Sequence, residues 1–183
     1  MEMLPLQTER LDLRPMTPAD AEDLAARRSD PETARFQSWT APYPIEWARA
    51  LIDEVLVHGE PTPGSWFQFA VELREDRRIV GDLAVRLSHD GRTAEVGYTL
   101  HAWARGLGYA TEAATRLIDY LVDSRGVHRV EASTDPANAA SIRVLQRLGF
   151  TAEGVKRESY WRGDEVMDDA VFGLLAREWR ARR

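Results

Sequence analysis

The chain has 183 residues, 44% hydrophobic and 30% charged, an ordinary globular composition that favours one domain spanning 1–183. It contains no cysteine, which excludes disulfides, thiolate nucleophiles, iron–sulfur clusters and cysteine zinc sites, and no apolar run approaches the roughly 18 residues of a membrane span. Twenty-four basic residues against 30 acidic give a net charge of −6, which disfavours non-specific nucleic-acid binding and leaves any anionic ligand to a local device.

The opening stretch MEMLPLQTERLDLRP has no basic segment followed by an apolar core, so no secretory signal is expected and the cytoplasm is the expected compartment. A short strand follows Arg10, carrying Leu11, Leu13 and Met16, and Pro15 predicts that its end lies at a sheet edge. Thr17-Pro18-Ala19-Asp20 opens a helix anchored by Leu24, because threonine caps and proline suits a first turn. A second helix is predicted from about Ile45 to Val57, where Ile45, Ala48, Ile52 and Val55 recur at spacings of three and four. The stretch HGEPTPGS, residues 58–65, reads as a loop.

Three strands follow at Trp66–Leu73, Ile79–Leu87 and Thr93–Leu100, alternating and joined by charged turns, the second with Asp90-Gly91. The period then changes. Gly108–Asp123 reads as a helix, Val127–Thr134 as a strand, and Asn138–Leu148 as a helix ended by Gly149. A helix between two strands implies a parallel pair with a right-handed crossover. Two strands, about Thr151–Trp161 and Val166–Leu175, close the chain. The expected architecture is α/β: a mixed sheet of about seven strands with about four helices on its faces.

Two segments carry chemistry. In Trp103-Ala104-Arg105-Gly106-Leu107-Gly108-Tyr109-Ala110-Thr111-Glu112, two glycines and an alanine leave the backbone bare between a strand and a helix. N–H groups there can converge on an anion, aided by the partial positive charge of the helix start, which suits a pyrophosphate. It is neither a Walker loop nor a full dinucleotide fingerprint, and a plain strand-to-helix turn is the alternative. In Asp135-Pro136-Ala137-Asn138-Ala139-Ala140-Ser141, taken alone, Asn138 reads as a helix cap sooner than a ligand contact and Ser141 as a solvated or back-bonded first-turn serine. The four histidines, His58, His89, His101 and His128, lie far apart, so no metal site is expected.

In this order and spacing, the two segments resemble the GNAT family of acetyl-CoA-dependent N-acetyltransferases. Arg105-Gly106-Leu107-Gly108-Tyr109-Ala110 is similar to the family's phosphate loop, and Asn138-Ala-Ala-Ser141 with Leu148-Gly149-Phe150 to its second cofactor segment. The opening Thr8-Glu9-Arg10-Leu11-Asp12-Leu13-Arg14-Pro15 resembles the branch of ribosomal-protein N-terminal acetyltransferases, the RimJ/RimL type. So do Tyr109-Ala110-Thr111-Glu112-Ala113 and Asp168…Leu174-Leu175…Glu178-Trp179. The likeness runs from about Leu6 to Trp179.

The resemblance implies a GNAT fold with a splayed parallel pair at Thr93–Leu100 and Val127–Thr134, and acetyl-CoA as co-substrate. It implies that Arg105, Gly106, Leu107, Gly108, Tyr109, Ala110 and Thr111 hold the pyrophosphate, that backbone near Tyr98, Thr99 and Leu100 pairs with the pantetheine arm, and that Asn138 holds the arm from the other side. Many members place a tyrosine four residues before the Gly-Phe pair as acid to the leaving thiolate. Leu145 stands there, so Ser141, one turn earlier, becomes the candidate donor. Glu95 is the candidate base, with a solvent-facing strand residue as the alternative. Asp168 is a candidate acceptor-binding residue or a structural ion-pair partner, while Glu112 is expected to stabilise its helix start.

The aromatic run Phe36, Trp39, Tyr43, Trp47, together with Trp161, reads either as packing or as a wall for the acceptor, with Trp39, Tyr43 and Trp161 as substrate-binding candidates. The expected acceptor is a primary amine, foremost a protein or peptide N-terminal α-amine. A small-molecule amine and a non-catalytic acetyl-CoA-binding module are the alternatives, and relatives are monomers or homodimers. Neither nucleic acid, membrane nor metal is expected.

Overall fold

The computed structural model describes residues 4–183; residues 1–3 of the opening stretch lie outside it. One mixed sheet of eight strands organises the chain, in the order β1-β2-β3-β4-β5-β6-β8-β7. Its strands are β1 (Leu6–Gln7), β2 (Leu11–Pro15), β3 (Trp66–Leu73), β4 (Ile79–Leu87), β5 (Thr93–Leu100), β6 (Arg129–Thr134), β7 (Thr151–Arg162) and β8 (Glu165–Leu175). The helices are α1 (Ala21–Ser29), α2 (Pro31–Ala34), α3 (Ile45–His58), α4 (Tyr109–Asp119), α5 (Ala139–Leu148) and α6 (Ala176–Arg180). The eighth strand, β1, is two residues long, too short for any periodic signal.

Alternation decides which face each strand residue takes. Phe67, Phe69, Val71, Leu83, Val85 and Val96 point to one face, where Ala113, Leu117, Leu145 and Leu148 of α4 and α5 close the main core. Burial of each large side chain there contributes about 1.5–3 kcal/mol. Ala70 points to the other face, under Leu24 of α1 and Ala48 and Ile52 of α3. Pro15 pairs with Phe69 of β3, while β1 reaches only Leu13 and Asp12, so the β1 side of Pro15 is open, as a residue without an N–H requires.

The feature that positions the site is a divergence. Strands β5 and β6 run parallel and pair only at Thr93–Arg129, Ala94–Val130 and Glu95–Glu131. Beyond Glu95, β5 stays paired to β4 as far as Leu100, and β6 stays paired to β8 as far as Thr134. The two strands therefore part with their facing backbone edges unpartnered by each other.

A buried charge cluster fixes α1 against the end of this opening. Arg27, 2% exposed, donates to Asp82 on β4 at 2.8 Å and also bonds Asp23, which in turn takes His101, just past β5, at 2.8 Å. Burial pushes the Asp23 carboxyl up, but the His101 and Arg27 bonds outweigh it and hold the group below its ordinary value.

Candidate active site

The opening between β5 and β6 is a cavity of about 310 Å³. Val96–Leu100 line one side and Ala132–Thr134 the other, with Arg105, Gly106 and Ala110 at one end and Asn138, Ser141 and Leu145 along a wall.

After β5, a short 3₁₀ turn (Ala102–Ala104) leads into Arg105, and the chain enters α4 through two left-handed glycines, Gly106 at φ +77 and Gly108 at φ +86. Only glycine adopts these angles without strain. The first helical bond of α4 runs from Glu112 N to Gly108 O at 3.0 Å, so the N–H groups from Gly108 to Thr111 precede any intrahelical partner. Two side chains, Glu112 and Arg10, brace the loop. Glu112 accepts Thr8 Oγ1 at 2.6 Å and Arg10 Nε at 2.7 Å, which joins the helix start to the N-terminal segment. The Arg10 guanidinium reaches Leu107 O at 3.1 Å and lies over the Tyr109 ring. Although burial raises it, the Glu112 carboxyl is held below its ordinary value by Thr8 and Arg10.

On the opposite wall Asn138 caps α5, its Oδ1 accepting Ser141 N at 3.1 Å. The cap consumes the amide oxygen and leaves the amide N–H groups as donors beside the cavity. The Tyr98 hydroxyl crosses from β5 to α5, 2.9 Å from Ser141 Oγ and 3.1 Å from Ser141 O. Burial pushes this phenol up to about 12 against the Ser141 hydrogen bond, so it stays protonated at neutral pH. Leu145, 1% exposed, packs in the core behind Ser141.

The third wall comes from a segment with no signal in the periodicity. The four-residue helix α2 is capped by Asp30, which accepts Thr33 N at 3.1 Å and Thr33 Oγ1 at 2.6 Å. Glu32, Thr33, Phe36 and Gln37 from α2 and its exit line the cavity. The Arg105 guanidinium donates to Thr33 Oγ1 at 2.6 Å, so the side chain of the first loop residue ties this wall to the loop.

The candidate acceptor residues disperse. Tyr43 is 9% exposed, with Arg28 donating to its hydroxyl at 3.1 Å, and Trp39 stacks edge-on against it and donates Nε1 to Arg28 O. Both belong to the α1–α3 cluster, and Phe36, not Trp39 or Tyr43, is the aromatic of this run that lines the cavity. Trp161, 67% exposed, stands near the tip of the β7–β8 hairpin. Glu95 forms an ion pair with Arg86 on β4 at 2.5 Å. Asp168 Oδ1 accepts Glu158 N at 2.8 Å, and Glu158 sits at φ +50 where the β7–β8 register slips between Lys156 and Tyr160, so this carboxylate braces a bulge.

The neighbouring Asp169, which the motif did not mark, takes the other side of β8. Burial first, then Glu95 and Asp135, raise its carboxyl above the ordinary value, against the opposing pull of Ser133, a cavity-lining residue, and Lys156. Two adjacent aspartates on a strand point to opposite faces, and sequence position alone does not tell which side of a bulged hairpin faces the opening.

A family model for an acetyltransferase (GNAT) domain matches residues 10–151. The Bacillus licheniformis protein named uncharacterized N-acetyltransferase p20 is 34% identical over 176 residues, covering 95% of this chain and 97% of that one. The Escherichia coli enzyme named [ribosomal protein uS5]-alanine N-acetyltransferase is 26% identical over 139 residues, covering 75% of this chain and 70% of that one. Among solved structures, Mycobacterium smegmatis RimJ, in complex with CoA-disulfide, shares the fold with a TM-score of 0.78 at 24% identity, covering 92% of this chain and 83% of that one. An eight-stranded sheet that opens along one parallel pair, together with the matched domain, makes the chain a member of the GNAT family of acetyl-CoA-dependent N-acetyltransferases.

Proposed function

We propose that the chain is one acetyltransferase domain that moves the acetyl group of acetyl-CoA to the N-terminal α-amine of a protein or peptide. The observation that carries the reading is the convergence, on one cavity at the β5–β6 divergence, of the glycine loop, the unpaired β5 edge and the Asn138–Ser141 helix start. In this reading the N–H groups from Gly106 to Thr111 hold the pyrophosphate, the Arg105 N–H being taken by Ala102 O at 3.3 Å, the β5 edge at Tyr98, Thr99 and Leu100 pairs with the pantetheine arm, and the Asn138 amide holds the arm from α5. Acetyl-CoA supplies the activated acyl group.

The acceptor enters over the face that carries Ser133, Asp169 and Glu95. A carboxyl raised above its ordinary value is a stronger base than a free carboxylate, which suits proton uptake from an incoming ammonium. Asp169 thus joins Glu95 as a base, and the Arg86 pair commits Glu95 more to orientation than to proton uptake. The choice of an α-amine draws support from the Escherichia coli relative, named as acting on a ribosomal-protein alanine. The test is incubation with acetyl-CoA and a panel of peptides, polyamines and amino acids, reading thiol release and product mass. Turnover of peptides with free N-termini supports the reading, and turnover confined to small amines refutes it.

A further inference from the structure

Leu145 leaves α5 without the phenol that a tyrosine there would supply, yet a phenol lies against the same turn of the helix. It is Tyr98, arriving from β5. Its hydroxyl lies within hydrogen-bond distance of two atoms of one residue, Ser141 Oγ at 2.9 Å and Ser141 O at 3.1 Å, and both residues line the cavity. A phenol has one proton and Ser141 O can only accept. With the Tyr98 proton on the carbonyl, the serine proton is free to point at the phenolic oxygen. With the Tyr98 proton on Oγ, the serine proton is released toward the cavity.

We propose that Tyr98 is a positioning residue that switches its proton from Ser141 O to Ser141 Oγ when negative charge gathers on sulfur in the cavity, so that Ser141 presents a reinforced donor to a thiolate. The proposal rests on the cavity being the acetyl-CoA site. No covalent bond changes and no proton leaves either residue; only the hydrogen-bond partners of two hydroxyls change. Two hydroxyls in series polarise one another, so the donor facing the cavity is stronger than a lone serine. A phenol shifted upward by burial remains protonated throughout the working range and keeps its proton available for the switch.

The absence of cysteine makes the test direct, because ultraviolet thiolate absorbance in a complex with coenzyme A belongs to the ligand alone, and a desulfo-coenzyme A complex supplies the tyrosinate background. Titration of the wild-type complex is expected to place thiol ionisation about one pH unit below that of free coenzyme A, since hydrogen bonding to a charged form favours it. Tyr98→Phe and Ser141→Ala should each return the midpoint toward the free value, and the double variant should go no further than Ser141→Ala, because Tyr98 acts through Ser141. If Tyr98→Phe does not fold, Tyr98→Met takes its place in the comparison. A wild-type midpoint equal to that of free coenzyme A, or a full shift retained without the phenol, overturns the proposal. Failure of coenzyme A to bind folded wild-type protein in calorimetry refutes the cavity assignment itself, a separate outcome.

Discussion

Arg105 donates to Thr33 Oγ1 at 2.6 Å, which joins the loop before α4 to a four-residue helix more than seventy positions earlier in the chain. Arg105 precedes the glycine loop of the proposed phosphate cradle, and its side chain holds the α2 wall of the same cavity. Thr33→Val removes the hydroxyl and keeps the shape. One hydrogen bond to a charged group contributes about 1.5–3 kcal/mol at most, and less here because Arg105 is exposed. Acetyl-CoA affinity should fall about threefold to tenfold, with the melting temperature nearly unchanged. Calorimetric titration measures it, and wild-type affinity would reduce the contact to a surface bond.

Gly108 offers a sharper version of the same test. Its φ of +86 places it in the left-handed region, and a Cβ there would stand 3.4 Å from the Arg10 guanidinium. Gly108→Val therefore strains the entry to α4 and crowds the approach to its free N–H groups. Acetyl-CoA affinity should drop at least tenfold, about 1.4 kcal/mol, while circular dichroism stays native. Unchanged binding removes this loop from the site.

The ends of β3, β4 and β5 agree residue for residue with alternation in the sequence, because each strand has one face on a continuous core. The loop and the Asn138 cap were equally legible, since glycine and asparagine at helix starts have specific backbone reasons. The α2 wall was not. Its four residues span one turn, and what recruits Thr33 and Phe36 to the cavity is a cap by Asp30 and a bond from Arg105, both invisible to periodicity. The Tyr98–Ser141 contact likewise joins positions 43 apart.

The Arg27–Asp82 pair should dominate the local stability of α1. Both side chains are almost fully buried and bonded at 2.8 Å, so Asp82→Ala removes one of the two carboxylates on a buried guanidinium and leaves it Asp23. Loss of one partner of a buried pair costs about 3–5 kcal/mol where the other charge is left alone, and the remaining Asp23 bond puts this case at the lower end, about 3 kcal/mol. Chemical denaturation should report a loss of that size, whereas Asp76→Ala, in an exposed turn pair with Arg78, should leave the unfolding midpoint almost where it is in the wild type.

Asp169 should trade stability against rate. Its carboxyl is raised in the folded state, first by burial, so the folded protein carries a disfavoured anion once pH exceeds the folded value. This penalty is absent below the unfolded pKa of about 3.9 and complete above the folded one. Asp169→Asn should therefore melt higher than wild type at pH 7, with the advantage gone below about pH 4. As a lost base it should lower kcat by about 10²–10⁴. Thermal melts across pH and steady-state kinetics read the two effects separately, and full activity in the variant returns the role of base to Glu95.

The acceptor can be distinguished by its own chemistry. Attack on a thioester needs a neutral amine, and α-amines titrate near 8 while lysine side chains titrate near 10.4. At pH 7 about one α-amine in ten is neutral against fewer than one lysine in a thousand. A base of the strength of Asp169, even raised, gains little by accepting a proton from a lysine ammonium and more from an α-ammonium. The net charge of −6 and the carboxylates Glu95 and Asp169 also favour arrival of a cationic end. A peptide carrying both a free N-terminus and internal lysines should therefore be acetylated on the α-amine, with kcat/KM rising from pH 7 to 9 and levelling as the amine becomes neutral. Fragmentation mass spectrometry locates the acetyl group. Exclusive lysine modification would show that the enzyme neutralises the stronger base by a group not on this face, and would refute the N-terminal assignment while leaving the cofactor cavity in place.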